Sequence, residues 1–316
     1  MRANVFVPDA KIGWTKYILK EGLKVIAKEK PELIFSSSPP HSLQIGAMKL
    51  AEKSGLKWVA DFRDPWSDAF WQRDINRLPS AIKKDENFER DVLSKANHVC
   101  TVSKTIAQNF NNNVWNEYSV LPNGYDESDF SSERKLNDKF VISYTGTLGK
   151  SQQLGRFVNA INKLDKNISS QIEINFYGTL HSTVMNNLSG LSNVNIYNNV
   201  SHTKAIDIML NSNMLLLIIP DTPNNKGILT GKIFEYMASR NFILGIGPTD
   251  GDAAKILLHT KSGQMFDYTN ELTDVITTQF EYWKTNVKHE IDETELKKYT
   301  REGLTKQLVE VFESLT

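Results

Sequence analysis

Apolar residues fall along this chain in two spacings. Short unbroken runs, of which residues 214–219 (Met-Leu-Leu-Leu-Ile-Ile) are the longest, read as strands buried on both faces. Similar runs at 33–35, 57–60, 98–102, 140–144, 172–177, 194–197 and 242–246 predict further strands, and one more ends at Leu121. Between them, apolar positions recur every three to four residues. They predict helices at about 12–28, 42–53, 79–94, from Ser103, 152–164, from Asp252 as a cap, 270–285 and 294–315. Strand alternating with helix predicts parallel, doubly wound sheets, so the fold class is α/β with two Rossmann-like domains facing each other across a cleft. In such sheets ligands bind at the carboxyl ends of the strands.

Turn chemistry places the joint. Leu121-Pro122-Asn123-Gly124-Tyr125-Asp126 closes one strand, and a polar stretch follows to Asp138. The expected division is a first Rossmann-like domain at 1–121, a linker at 122–138, a second domain at 139–290 and a C-terminal helix at 291–316. Residues 1–11 supply at most one short strand, and no Gly-x-Gly turn precedes the first helix, so the first domain reads as incomplete.

Composition narrows the classes. The 316 residues carry 37 basic and 37 acidic side chains, a balance that argues against broad electrostatic binding to nucleic acid. Cys100 is the single cysteine, which excludes a disulfide framework and a cysteine-based metal cluster. No signal-peptide pattern follows Met1, and no apolar run approaches the length of a bilayer, so a cytoplasmic protein is expected. The 12–28 helix joins Trp14 and Tyr17 to a stripe of Lys16, Lys20, Lys24 and Lys28. Such a helix either contacts an anionic membrane peripherally, here at its inner face, or presents a solvated side diluted by Glu21 and Glu29.

Candidate chemistry centres on Thr230-Gly231-Lys232-Ile233-Phe234-Glu235. With Thr230 as N-cap, Gly231 and Lys232 occupy a first helical turn whose free N–H groups and dipole suit a phosphate. Glu235, one turn in, leans back over that site, where a carboxylate suits ribose hydroxyls. Thr145-Gly146-Thr147-Leu148-Gly149-Lys150 repeats the strand, glycine, lysine, helix arrangement. In the first half, the loops holding Ser38 with His41, and Asp61 with Arg63 and Asp64, both follow strands. Asp61 and Arg63 read as cleft-lining groups or a structural ion pair, and too few convergent ligands are present to call for a metal.

These stretches together resemble the retaining GT-B glycosyltransferases that build bacterial capsules, lipopolysaccharides and glycolipids. The resemblance is carried by Ser-Ser-Pro-Pro at 37–40, Asp-Phe-Arg-Asp-Pro-Trp at 61–66, Val-Ser at 102–103, Pro-Asn-Gly-Tyr-Asp at 122–126, Tyr-Thr-Gly-Thr-Leu at 144–148 and Lys-Ile-Phe-Glu-Tyr-Met-Ala at 232–238. It implies a hexosyltransferase-type enzyme moving a sugar, with retention, from a nucleotide-diphosphate sugar to a saccharide or lipid-linked acceptor, without metal or other cofactor. Glu235 matches the ribose-binding acid of the family's Glu-x7-Glu motif, whose first position here is Gly227. By the same resemblance Gly146, Thr147, Gly178, Val200, His202, Thr230 and Gly231 bind the donor. Lys150 and Lys232 steady the departing diphosphate, Asp61 lies near the transferred sugar, and Ser38, His41 and Arg63 serve the acceptor. Relatives carry a longer first domain, so the chain resembles a shortened member. The rival readings are a non-catalytic sugar-nucleotide-binding or assembly subunit, favoured by Gly227, and a sugar-nucleotide epimerase. No Ser-His-Asp constellation and no covalent nucleophile is apparent.

Overall fold

A computed structural model describes residues 2–69, 72, 75–114, 116–135 and 137–316. The chain divides into two units: one takes in the chain up to Pro122 together with Leu304–Thr316, the other Asn123–Gly303.

In the first unit four parallel strands stand in the order β1 (Leu33–Ser38), β2 (Lys57–Phe62), β3 (His98–Thr101), β4 (Tyr118–Val120). The pleat sends successive side chains to opposite faces. Trp58, Ala60 and Phe62 therefore pack with Ile45, Met48, Val92, Leu93, Ile106 and Phe110 from the crossover helices Ser42–Ser54, Pro79–Lys95 and Lys104–Asn113. Val59 and Cys100 turn the other way, against Leu121 and Val311 of the last helix, Arg301–Glu313. Helix Thr15–Glu29 packs against Ser42–Ser54. Residues Arg2–Val5 form a short helix, not a strand; Asn4 fastens it by accepting from the Leu78 N–H at 2.6 Å.

The second unit has six parallel strands: β5 (Phe140–Thr145), β6 (Ile172–Tyr177), β7 (Val194–Tyr197), β8 (Met214–Ile218), β9 (Phe242–Ile246) and β10 (Gly263–Phe266). They stand in the order β10-β9-β8-β5-β6-β7. The chain winds outward from β5 to β7, then crosses back to β8 and winds the other way. The switch point therefore lies between β5 and β8. Leu216 and Ile218 join a core with Phe157, Phe176, Ile276 and Phe280 on one face. Leu215 and Leu217 join Phe234, Met237, Leu257 and Met265 on the other.

Several boundaries differ from the sequence reading. The stretch after Pro122, expected as a linker, belongs to the second unit, where Tyr125 is buried and Arg134 donates to the Ser239 carbonyl at 3.1 Å. The expected single C-terminal helix is two, Glu293–Lys297 and Arg301–Glu313. Between them the backbone leaves its helical bonding to pair with Tyr125, whose N–H donates to Tyr299 O at 3.1 Å and whose carbonyl accepts from Arg301 N at 2.9 Å. From Leu304 onward the second of these helices belongs to the first unit. Gly251, not Asp252, occupies the cap, and Asp252 opens the helix as a buried residue 3.6 Å from the Lys255 ammonium. The helix expected from 152 starts at Gly155, and the one expected from 270 starts at Thr273. Strand β10 carries too short an apolar run to announce itself in sequence.

Candidate functional site

At the carboxyl ends of the second unit's strands, beside the switch point, lies a cleft of about 350 Å³. Its walls are Thr145 and Gly146 after β5, Tyr177 ending β6, Asn199 and Val200 beyond β7, Ala205 and Met209 from helix His202–Leu210, and Gly231, Lys232 and Glu235 from helix Gly231–Ala238. Two glycines let the walls approach. Gly146 and Gly178 hold φ of +113° and +139°, which side chains with a Cβ rarely adopt. A Cβ on Gly178 would stand 2.1 Å from the Gly146 carbonyl oxygen, so the turns after β5 and β6 touch backbone to backbone. The Gly146 N–H fastens them by donating to Tyr177 O at 2.8 Å.

Thr230 takes the N-cap position with extended backbone, but its side chain makes no capping bond and its Oγ1 is buried without a partner. The helix start is thus left without a side-chain cap, and its dipole and N–H groups are available to an anion. Lys232 is half-buried here: its ammonium donates to the Tyr144 hydroxyl at 2.6 Å and stands 4.0 Å from that ring's centre. Burial pulls its pKa down to about 8, with the Glu235 carboxylate resisting. Burial raises the pKa of Glu235, against the pull of His202 and Arg301. The His202 ring bridges two carboxylates, with Nε2 3.2 Å from Asp129 Oδ2 and Nδ1 3.9 Å from Glu235 Oε1.

Of the residues singled out in sequence, Gly146, Val200, Gly231, Lys232 and Glu235 line this cleft. Gly178 and His202 do not line it: one supports the Gly146 turn, the other stands beside Glu235. Thr147 is exposed, and its carbonyl accepts the Tyr144 hydroxyl at 2.8 Å. Lys150 is exposed on the turn and is not part of the wall. Tyr144, Tyr177, Asn199 and Asp129 were passed over in sequence. Tyr144 and Tyr177 each stand two residues or fewer before a glycine at a strand end, and that pairing is the signal that marks them.

The first-unit candidates form one network at the ends of β1 and β2. Asp61 Oδ2 accepts from Ser37 Oγ at 2.6 Å, and Oδ1 lies 3.3 Å from Arg63 Nη1. Arg63 also donates to Leu121 O at 2.9 Å. Gln44 donates to Ser38 Oγ at 3.1 Å and to Asp61 O at 2.7 Å. His41 lies 3.3 Å from Ser38 Oγ and stacks flat on Trp66 with ring centres 4.7 Å apart. Burial lowers its pKa. Burial raises that of Asp64, with Arg63 opposing. Among the described residues no three His, Cys, Asp or Glu side chains gather as a metal site, and no helix is long and apolar enough to cross a membrane.

No family model matches the chain, and no curated protein matches it. Solved structures do. Sucrose-phosphate synthase from Thermosynechococcus elongatus is similar over 98% of this chain and 80% of its own, with a TM-score of 0.69 at 12% identity. HepE from Anabaena, in complex with UDP, is similar over 93% and 82%, with a TM-score of 0.68 at 11% identity. The lipopolysaccharide outer core galactosyltransferase WaaB is similar over 96% and 81%, with a TM-score of 0.64 at 13% identity. At such identities the likeness establishes the fold: two parallel-sheet, Rossmann-like domains of the GT-B kind.

Proposed function

We propose that this chain is a glycosyltransferase that takes a nucleotide-diphosphate sugar as donor and moves its sugar, with retention, to a saccharide or lipid-linked acceptor in surface polysaccharide synthesis. One observation carries the reading: a single helix start presents a cation, Lys232, and a carboxylate, Glu235, to one cleft at the switch point of a parallel sheet. That pairing suits a diphosphate joined to a ribose. The similar fold of HepE in its UDP complex supports a nucleoside diphosphate. In this proposal the helix dipole and Lys232 neutralise the departing diphosphate, with Lys150 reaching in from its turn and no metal required. Gly146 and Val200 line the donor's place, and Thr147, Gly178, His202, Thr230 and Gly231 shape it. Asp61 serves the transferred sugar, and Ser38, His41 and Arg63 the acceptor.

Calorimetry against UDP, GDP, ADP and dTDP, with pyrophosphate as the ribose-free control, tests the donor site. Glu235→Gln is expected to weaken the preferred nucleoside diphosphate about tenfold, the worth of one charge-assisted hydrogen bond, and to leave pyrophosphate unchanged. Failure of all four nucleotides to bind would sink the reading. Tight binding with no transfer to any acceptor would favour the non-catalytic subunit instead.

We further propose peripheral contact with an anionic membrane through helix Thr15–Glu29. Trp14 and Tyr17 are 59% and 57% exposed, with the Lys11 and Lys16 ammoniums 4.5 and 5.0 Å from their ring centres. Lys24 and Lys28 are paired with Glu21 and Glu29, at 3.0 and 2.7 Å, so the aromatic end carries most of the attraction. Co-flotation with phosphatidylglycerol vesicles at low salt is expected, reduced in Trp14→Ala/Tyr17→Ala and lost with phosphatidylcholine alone. Equal recovery with both lipids would exclude it.

A further inference from the structure

Lys232 and Glu235 stand three residues apart on one helix, a spacing at which opposite charges commonly pair. Elsewhere in this chain the same order and spacing closes: the Lys204 ammonium lies 2.6 Å from Asp207. Lys232 and Glu235 form no such pair. The ammonium instead meets the hydroxyl and ring of Tyr144. Tyr144 is built for this. Its side chain is 1% exposed, and its single hydroxyl proton is committed to Thr147 O at 2.8 Å, which leaves an oxygen lone pair for the ammonium. Burial raises the phenol's pKa far above its ordinary value, so the hydroxyl stays neutral and accepting. An ammonium has three N–H donors; one goes to Tyr144 and two remain for a ligand.

We infer that Tyr144 is a positioning residue that holds the Lys232 ammonium off Glu235, so that cation and carboxylate stay separately available at opposite ends of one ligand. This deepens the proposed donor site and rests on it for its purpose. Without the hydroxyl the ammonium falls back onto Glu235, and each charge cancels the other. The other charged groups facing Glu235 are His202, Asp129 and Arg301, and Tyr236 lies beside Tyr144. The Lys232 ammonium bonds to Tyr144 and to none of these groups.

The experiment is an NMR titration of the Lys232 side chain in the ligand-free protein, assigned by Lys232→Arg. The wild type is expected to titrate near 8, and Tyr144→Phe to move that midpoint up toward the ordinary 10.5 as the ammonium pairs with Glu235. Tyr144→Phe/Glu235→Gln is expected to cancel the rise, because no carboxylate is left to receive the cation. A midpoint that stays or falls in Tyr144→Phe overturns the inference. Glu235→Gln alone gives a check that leaves Tyr144 intact: with the resisting carboxylate gone Lys232 should titrate slightly below the wild type, and a fall as large as the rise seen in Tyr144→Phe would mean the two charges were already paired. UDP affinity should drop about tenfold in Tyr144→Phe. If the wild type binds no nucleotide, the donor reading fails while the titration still decides the role of Tyr144.

Discussion

Asp85→Ala is expected to destabilise the first unit by about 3–5 kcal/mol, the usual cost of removing one partner from a buried ion pair. The Asp85 carboxylate side chain is 1% exposed and stands 2.7 Å from Arg77 Nη1, whose own side chain is 7% exposed. Its other oxygen accepts the Trp66 indole N–H at 2.8 Å. Alanine would leave a guanidinium and an indole N–H inside the unit without their acceptor. Arg77 would keep only uncharged acceptors, the Gln72 amide oxygen and the Ala81 carbonyl at 3.4 Å, and its buried Nε has no partner. The damage would spread to His41, which stacks on Trp66 and whose ring feels the Asp85 charge as a counterweight to burial. Without that charge, burial lowers the His41 pKa further. Chemical denaturation measures the loss, with Asp91→Ala on the exposed side of the same helix as control, expected within about 0.5 kcal/mol of wild type. Equal midpoints for the two variants would show that the buried network contributes nothing.

That network also shows where sequence reading stops. On helix Pro79–Lys95 the buried positions are Ala81, Asp85, Glu89, Val92 and Leu93, so two carboxylates occupy the core-facing stripe. A search for apolar periodicity discounts them, because their burial depends on Trp66, Ser67 and Arg77 from the preceding loop. The strands were legible for the opposite reason. Residues 214–219 and 242–246 are apolar at every position or nearly so, and only a strand covered on both faces needs that. Part of the candidate cleft was legible too: glycine at a strand end and a cap, glycine, lysine helix start mark phosphate geometry locally. The Tyr144–Lys232 bond was not, since 88 residues separate its partners and no local pattern links them. The role of Thr230 was half legible. Its position follows from residue type, but that its buried hydroxyl makes no capping bond is visible only in the fold.

Replacing Lys232 by methionine is expected to weaken nucleoside diphosphate binding by roughly 100-fold, about 3 kcal/mol, within the range for truncating one side of a desolvated charge pair. The same change should make the empty protein more stable at neutral pH. In the fold the ammonium titrates near 8, against 10.5 ordinarily, so from about 8 to 10.5 the unfolded chain holds more protons than the folded one. Wild-type stability therefore rises with pH across that window, and below it the cost of burying the charge is fully present. That cost is on the order of 2–3 kcal/mol, and methionine removes it, less whatever the Tyr144 hydroxyl loses with its partner. The binding loss and the stability gain have one origin. A half-buried ammonium is incompletely solvated before the ligand arrives, so a diphosphate supplies counter-charge that water supplies only in part. The bound ligand should draw the Lys232 pKa back up. Calorimetry at pH 8–9 in buffers of different ionisation enthalpy is then expected to show proton uptake on binding, absent in Lys232→Met. At the acid end, the raised pKa of Glu235 predicts that ribose-dependent affinity declines, as pH falls, at a higher pH than an ordinary glutamate would set, a limb that Glu235→Gln removes. A Lys232→Met protein that melts lower than wild type would make the lysine a structural support for the Tyr144 turn. One that melts higher and binds nothing would identify it as a charge held in readiness for an anionic ligand.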